Sequence, residues 1–296
     1  MDLNLECLNS EFGKQFTFLN LIYTGSDNNV YCLTDADGKK YILRQSLRQK
    51  NSEDMAFEAN FSLFLFKNAI PVRLLLKTGS LSLLSFCEGD TLSFDSVTTT
   101  NCFNAGKTLA KFHIVSKNFT QTPFPKRKLT SELERVFPVS DELSKKYSDG
   151  LIFVDAVSNI LNSSWLKQRN PCIIHNDFRI QNVLFCEDKI SAILDFDWAC
   201  FGNPLKDLAH ALVEWSMLDN QPIKKERFLA FLEGYKSIIP NINNDELQFW
   251  ICFSCLSDTA TYLVDRINVA QSGGKIRSWM YYKYLFFKEN NIKKLL

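Results

Sequence analysis

Residues 173–199 read IIHNDFRIQNVLFCEDKISAILDFDWA, short apolar runs broken by polar residues that carry chemistry. The runs Cys172–Ile174, 183–185 and 190–194 have the length and composition of buried strands. The turn Glu187-Asp188-Lys189 makes a hairpin of the last two. Around them, Asp177 stands two residues after His175, Asn182 five after Asp177, and Asp195 thirteen after Asn182. Phosphoryl transfer from ATP needs few groups. It needs a carboxylate to orient and deprotonate the acceptor hydroxyl, and oxygen ligands that hold Mg²⁺ on the phosphates. Asp177 suits the first role. Asn182 and Asp195 suit the second, because hard Mg²⁺ prefers carboxylate and amide oxygens. The pattern delivers all three from strand ends and tight turns, where side chains converge.

His-x-Asp-x4-Asn followed by Ile-Leu-Asp-Phe-Asp resembles the aminoglycoside phosphotransferase and choline kinase superfamily, the small-molecule branch of the protein-kinase-like fold. Trp198-Ala199 and Gly202-Asn203-Pro204, preceding Asp207-Leu208-Ala209, are similar to that family's text after the metal aspartate, and GKTLAKFH at 106–113 resembles its Gly-x-x-Leu-Ala-x-x-His helix. The resemblance implies an α+β, bilobal fold. An antiparallel-sheet lobe with one helix, at 1–88, binds nucleotide. A mainly helical lobe, at 89–296, carries the catalytic loop, the metal site and the acceptor pocket. It implies an enzyme that uses ATP and Mg²⁺ to phosphorylate a hydroxyl of a small molecule. His175 and Asp207 are expected to brace the loop, and His113 to be a hydrogen-bonded core residue.

Composition agrees and excludes other classes. At 296 residues the chain can bury a sizeable core. A net charge of +1 offers no basic field for nucleic acid. No apolar run approaches the ~18 residues that span a bilayer, and MDLNLECLNSEFGK has no targeting pattern. The expectation is a cytoplasmic monomer or homodimer with a small-molecule substrate, no nucleic acid and no membrane. Nine scattered cysteines argue against a disulfide framework, and Cys252-x-x-Cys255 lies in an apolar helical run where burial explains it.

The first eighty-odd residues read as strands. An apolar run at 16–23 leads through Thr24–Asn29 to a run at 30–34, and Asp35-Ala36-Asp37-Gly38 turns into 40–44. Thr24–Asn29 occupies the place of a phosphate-covering loop but lacks G-x-G-x-x-G, which leaves Ser26, Asn28 and Asn29 as candidate phosphate donors. Arg44 ends the third strand where the family's phosphate-binding cation falls, and Glu58 on the helix 51–67 is its candidate partner. The strand at 81–86 ends in Cys87-Glu88-Gly89, a hinge expected to hold adenine through backbone groups, with Cys87 at its start. From residue 100 the chain reads as helices at 101–116, 131–161 with a break at Pro138, 206–217, 225–239, 245–269 and 275–289.

The last helices are expected to build the acceptor pocket. Candidate contacts are Asp197, Trp215, Asp258, Tyr262 and Asp265, of which 258, 262 and 265 share a helical face. Acidic and aromatic residues suit an amine or quaternary ammonium, and the same residues also suit ordinary helix seams. The functional expectation is therefore a homoserine- or choline-like acceptor. An aminoglycoside or other antibiotic phosphotransferase and a nucleotide-binding pseudokinase are the alternatives. The tail FFKENNIKKLL lacks an acidic cluster for an antibiotic, and a pseudokinase has no need of Asp177.

Overall fold

Short-range chemistry explains most of the elements in the computed structural model, which describes residues 3–24, 28–47, 51–77, 79–167, 171–219, 221–269 and 273–296. A helix absent from the sequence reading comes first. α1 (Leu5–Phe12) starts where the Asn4 side chain accepts the Cys7 N–H, and it buries Leu8. β1 (Phe16–Thr24), β2 (Asn28–Asp35) and β3 (Lys40–Ser46) follow as antiparallel neighbours. The β2–β3 turn is held by Asp35, whose carboxylate accepts the N–H groups of Asp37 and Lys39 and the Tyr41 hydroxyl. α2 (Ser52–Lys67) is capped by Asn51. β4 (Leu75–Lys77) and β5 (Leu81–Ser85) complete a five-stranded antiparallel sheet in the order β1-β2-β3-β5-β4. Leu8, Phe16, Leu33, Tyr41, Leu43 and Leu83 form its core against α1.

β6 (Asp90–Thr91) precedes α3 (Thr99–Ser116), which opens with a reciprocal Thr98–Asn101 capping box. The stretch read as helical with a break at Pro138 is divided further, into α4 (Ser131–Glu134), a 3-10 turn at Phe137–Val139, α5 (Ser140–Lys146) and α6 (Gly150–Leu161). Pro138 sits in the 3-10 turn, where its missing N–H costs nothing. β7 (Cys172–Ile174) leads into the loop that carries Asp177, and β8 (Val183–Cys186) with β9 (Lys189–Ile193) forms the expected hairpin. β10 (Cys200–Gly202), unanticipated, pairs antiparallel with β7. α7 (Pro204–Ser216), α8 (Lys225–Lys236), α9 (Asn244–Asp265) and α10 (Trp279–Glu289) finish the chain. α9 ends four residues before the expected 269, because the Arg266 N–H turns back to Leu263 and Val264. α10 begins four residues after the expected 275, since Ile276 donates to the Asp149 carboxylate and Gly274 bridges to Tyr147.

The elements sort into two compact units. The first holds Met1–Asp90 together with Asn118–Lys126 and Leu184–Asp197, so the segment carrying Asp195 belongs with the sheet. The second holds Thr91–Lys117, Arg127–Val183 and Trp198–Leu296. Within the second unit, α3 and α8 approach so closely that each offers a glycine to the other's backbone. A Cβ on Gly106 would lie 2.0 Å from the Phe231 carbonyl oxygen, and one on Gly234 would lie 2.0 Å from that of Phe103. In the first unit Gly89, at φ +113°, likewise leaves no room for a Cβ beside the Phe185 carbonyl. No helix among the described residues is long and apolar enough to cross a membrane.

Candidate active site

The helical unit builds its candidate residues on Asp207. α7 starts with Pro204 at its first turn and the Asn203 side chain accepting the Leu205 N–H, which fixes Asp207 one turn in and fully buried. There its carboxylate accepts the backbone N–H of His175 at 2.8 Å and of Asn176 at 2.9 Å, and lies 3.0 Å from Nε2 of His113. The other His113 nitrogen lies 2.8 Å from the Tyr235 hydroxyl. Burial alone would raise the Asp207 carboxyl, but the His113 hydrogen bond and the charges of His113, His175 and Lys206 bring it down to about 2. His175 accepts the Asp177 N–H on Nδ1 at 3.3 Å, and Trp215 donates its indole N–H to the Phe178 carbonyl at 3.0 Å. Trp215 is fully buried and stacks on Phe178. This corrects its reading as an acceptor contact, because its one polar atom is engaged in bracing the loop.

This loop presents Asp177. The Asn182 amide donates to the Asp177 carbonyl at 2.9 Å and to its Oδ2 at 2.8 Å. Burial pushes the Asp177 carboxyl above its ordinary value, while the Arg179 guanidinium, 3.3 Å from Oδ2, and the charges of His210 and His175 pull the other way. Beside it lies a second cluster that the sequence reading missed. Buried Lys206 donates to the Asn176 side chain, and His210, four residues on, places Nε2 3.1 Å from Asp258 Oδ2. Buried Lys283 pairs with Glu214 at 2.8 Å. The Lys206–His210 spacing on one helical face was the available signal.

The three residues of the expected α9 face have separate surroundings. Asp258 pairs with His210. Tyr262 meets Trp279 edge-on at 5.6 Å, with the Arg266 guanidinium over its ring at 4.4 Å. Asp265 is exposed and ion-paired with Arg135.

In the sheet unit, Arg44 faces away from Leu43 and the α1 core, as strand alternation requires. Its two terminal nitrogens each lie 2.7 Å from one Glu58 oxygen, a bidentate pair almost sealed from solvent. Burial works against the Arg44 charge, but Glu58 first and then Asp197 and Asp195 hold its pKa above the usual arginine value. Phe196, between those aspartates, packs edge-on against Phe61 of α2 at 5.5 Å. Asp195 itself takes φ +61°, and its Oδ1 accepts the Asp197 N–H at 3.2 Å. The loop is anchored upstream by the Ile193 N–H on the Pro71 carbonyl at 2.8 Å. Asn29 donates to Gln45 at 3.2 Å, and the side-chain oxygens of Asn28 and Asn29 are buried without a partner among the described residues. Ser26 lies outside the described residues. Cys87 is half-buried beside Arg73, whose guanidinium is pushed below its usual value by burial. Sequence reasoning passed over Arg73.

The sheet, the helical unit and the residues above define a small-molecule kinase of the protein-kinase-like α+β fold. Residues 19–239 match the phosphotransferase enzyme family, and the chain belongs to it. It is 26% identical over 249 residues to homoserine kinase of Neisseria meningitidis serogroup B, covering 79% of this chain and 78% of that one. Among solved structures it resembles an amicoumacin kinase in complex with AMP-PNP, Ca²⁺ and Ami, with a TM-score of 0.69 at 15% identity, over 99% of this chain and 94% of that one. It also resembles choline kinase from Cryptosporidium parvum, with a TM-score of 0.65 at 12% identity, over 94% and 89% of the two chains.

Proposed function

We propose that the chain transfers the γ-phosphate of ATP to the hydroxyl of a small amine-bearing metabolite, a hydroxy amino acid such as homoserine or an amino alcohol such as choline. The observation that carries this reading is Asp177. It is a carboxyl raised by burial, oriented by Asn182, on a loop that Asp207 holds by two backbone N–H groups. A carboxylate with raised basicity accepts the hydroxyl proton more readily as the acceptor oxygen attacks phosphorus and the ADP oxygen leaves. The homoserine kinase relatives, matched over more than three-quarters of their length, support the hydroxy amino acid.

The cation donors fit Mg²⁺ in kind. The Asn182 nitrogen is spent on Asp177, which leaves its amide oxygen as the outward donor, and Asp195 supplies a carboxylate. One carboxylate and one amide oxygen are the sparse set Mg²⁺ uses beside phosphate oxygens. When bound, the cation neutralises charge on the phosphates. Arg44, held in one orientation by Glu58, is assigned to phosphate. Ser26, Asn28 and Asn29 are assigned to the covering loop, and the Cys87 backbone to adenine. Asp197, Asp258, Tyr262 and Asp265 remain the proposed acceptor contacts, with Asp258 the foremost because it lies within electrostatic reach of Asp177. Phosphate transfer from Mg-ATP to L-homoserine, choline, ethanolamine and an aminoglycoside, compared by kcat/KM, tests the reading. A marked preference for the aminoglycoside, or turnover of none of the three small amines, overturns it.

A further inference from the structure

His210 and Asp258 sit beside the catalytic loop without a role in bracing it. His210, on α7, is nearly sealed, while Asp258, on α9, leaves about a third of its side chain exposed, 33% against 4%. Their contact is 3.1 Å, from His210 Nε2 to Asp258 Oδ2. The other ring nitrogen, Nδ1, is buried and has no hydrogen-bond partner among the described residues. Every other charged group facing the pair has a partner of its own. Lys206 donates to Asn176, Glu214 pairs with Lys283, and Asp177 is engaged by Asn182 and Arg179.

We infer that the His210–Asp258 pair is the recognition site for the acceptor's ammonium group, and that His210 is the positioning residue that sets its net charge. The inference rests on the proposed function, in which the acceptor carries an amine. A neutral imidazole donates from Nε2 to Asp258 and leaves only a bare lone pair at Nδ1. The pair then carries one negative charge and presents it at the exposed edge of Asp258. Adding a proton places an N–H at Nδ1 with nothing buried there to receive it, and brings the pair to zero net charge. A cationic ligand therefore selects the neutral imidazole. Burial works to lower the His210 pKa, but the Asp258 charge and hydrogen bond hold it above the ordinary 6.5, with Lys206 opposing and Glu214 assisting. The charge of the site thus changes at a pH above that of a free imidazole. Both groups bear electrostatically on Asp177, so an ammonium held at Asp258 leaves the acceptor's hydroxyl end for the base.

The test uses the full chain at saturating Mg-ATP, with L-homoserine as probe and 4-hydroxybutanoate, which lacks the amine, as control. Between about pH 5.5 and pH 8.5, KM for L-homoserine falls as pH rises, approaching tenfold per unit on the acid side, and then levels off. In His210→Gln, which keeps a donor to Asp258 without titrating, KM for L-homoserine loses that slope and KM for ATP is unchanged. The control acceptor shows no such slope in either protein. A brace that merely supported the fold would move kcat or Tm without removing the pH dependence of KM. The chain has only three histidines, so the imidazole resonance missing from His210→Gln is assigned directly. By reciprocity, saturating L-homoserine shifts that resonance's titration to lower pH in the unmodified protein. A slope retained in His210→Gln, or a titration that saturating L-homoserine does not move, overturns the inference while turnover of the amine leaves the proposed function standing. Turnover of no amine overturns the proposed function, and the NMR titration still decides whether the pair binds an ammonium.

Discussion

Replacing Gly234 with alanine tests how the packing of α3 on α8 reaches the chemistry. The added Cβ would lie 2.0 Å from the Phe103 carbonyl oxygen, where ordinary contact begins at 3.4 Å, so the helices must part by about 1.4 Å, the difference between the two. The carbonyl belongs to backbone and a Cβ is fixed rigidly to its own, so no flexible side chain can yield. Overpacking of this kind costs ~1–3 kcal/mol, and alanine's better helix propensity returns about 1 kcal/mol. The net loss is therefore up to about 2 kcal/mol, which lowers Tm by up to roughly 4–8 °C for a unit of this size. Activity falls as well, because Tyr235 is the next residue. Its hydroxyl is 2.8 Å from His113, and the opposite nitrogen of that ring is 3.0 Å from Asp207, which holds the loop of Asp177. A shift of this size breaks the first link and misplaces Asp177, the proposed base, for a fall in kcat of about 10- to 100-fold. Thermal unfolding followed by circular dichroism and steady-state kcat on the best acceptor measure the two effects. Gly106→Ala demands the same separation, so the double variant is expected to cost less than the sum of the singles. An unchanged Tm and kcat in Gly234→Ala would refute the reasoning.

Three more outcomes are expected. Asp177→Asn keeps shape and removes the base, so kcat falls by ~10²–10⁴ with nucleotide affinity, measured by calorimetry, nearly intact; wild-type turnover would remove Asp177 from the mechanism. Glu58→Gln withdraws the charge opposite a buried guanidinium, which costs up to ~3–5 kcal/mol, so both Tm and the apparent affinity for Mg-ATP drop. If ATP titrations match the parent, Arg44 is not a phosphate ligand. Asp207 has its carboxyl lowered from 3.8 to about 2, so its contribution, roughly 2 kcal/mol by linkage, is complete above pH 3.8 and is lost as pH falls towards 2. Acid unfolding of Asp207→Asn should lack that component, and an identical acid transition in both proteins would contradict it.

Local chemistry made the catalytic stretch legible. Apolar runs of strand length alternate with turn residues between 173 and 199, and the observed β8–β9 hairpin depends on neighbours only a few residues away. Arg44 and Glu58 were readable for a related reason. One lies on a strand and the other on the following helix, 14 residues apart. The cluster of Lys206, His210 and Asp258 was not readable as a unit, because its contacts join residues 30 and 48 positions apart through helix packing. A still larger separation in sequence, 130 residues, hid the Arg135–Asp265 pair. Short elements such as α1 and β10 escaped because three to eight residues give too few repeats of a period to be counted.

Phe196 gives the sheet unit a mechanical property. Its ring is pressed against Phe61, and Phe61 stands three residues after Glu58 on the same rigid helix. The carboxylate that steers Arg44 and the backbone that displays Asp195 therefore ride on one beam. Displacing α2 moves both, so a ligand fastened at one of them is expected to stiffen the seat of the other.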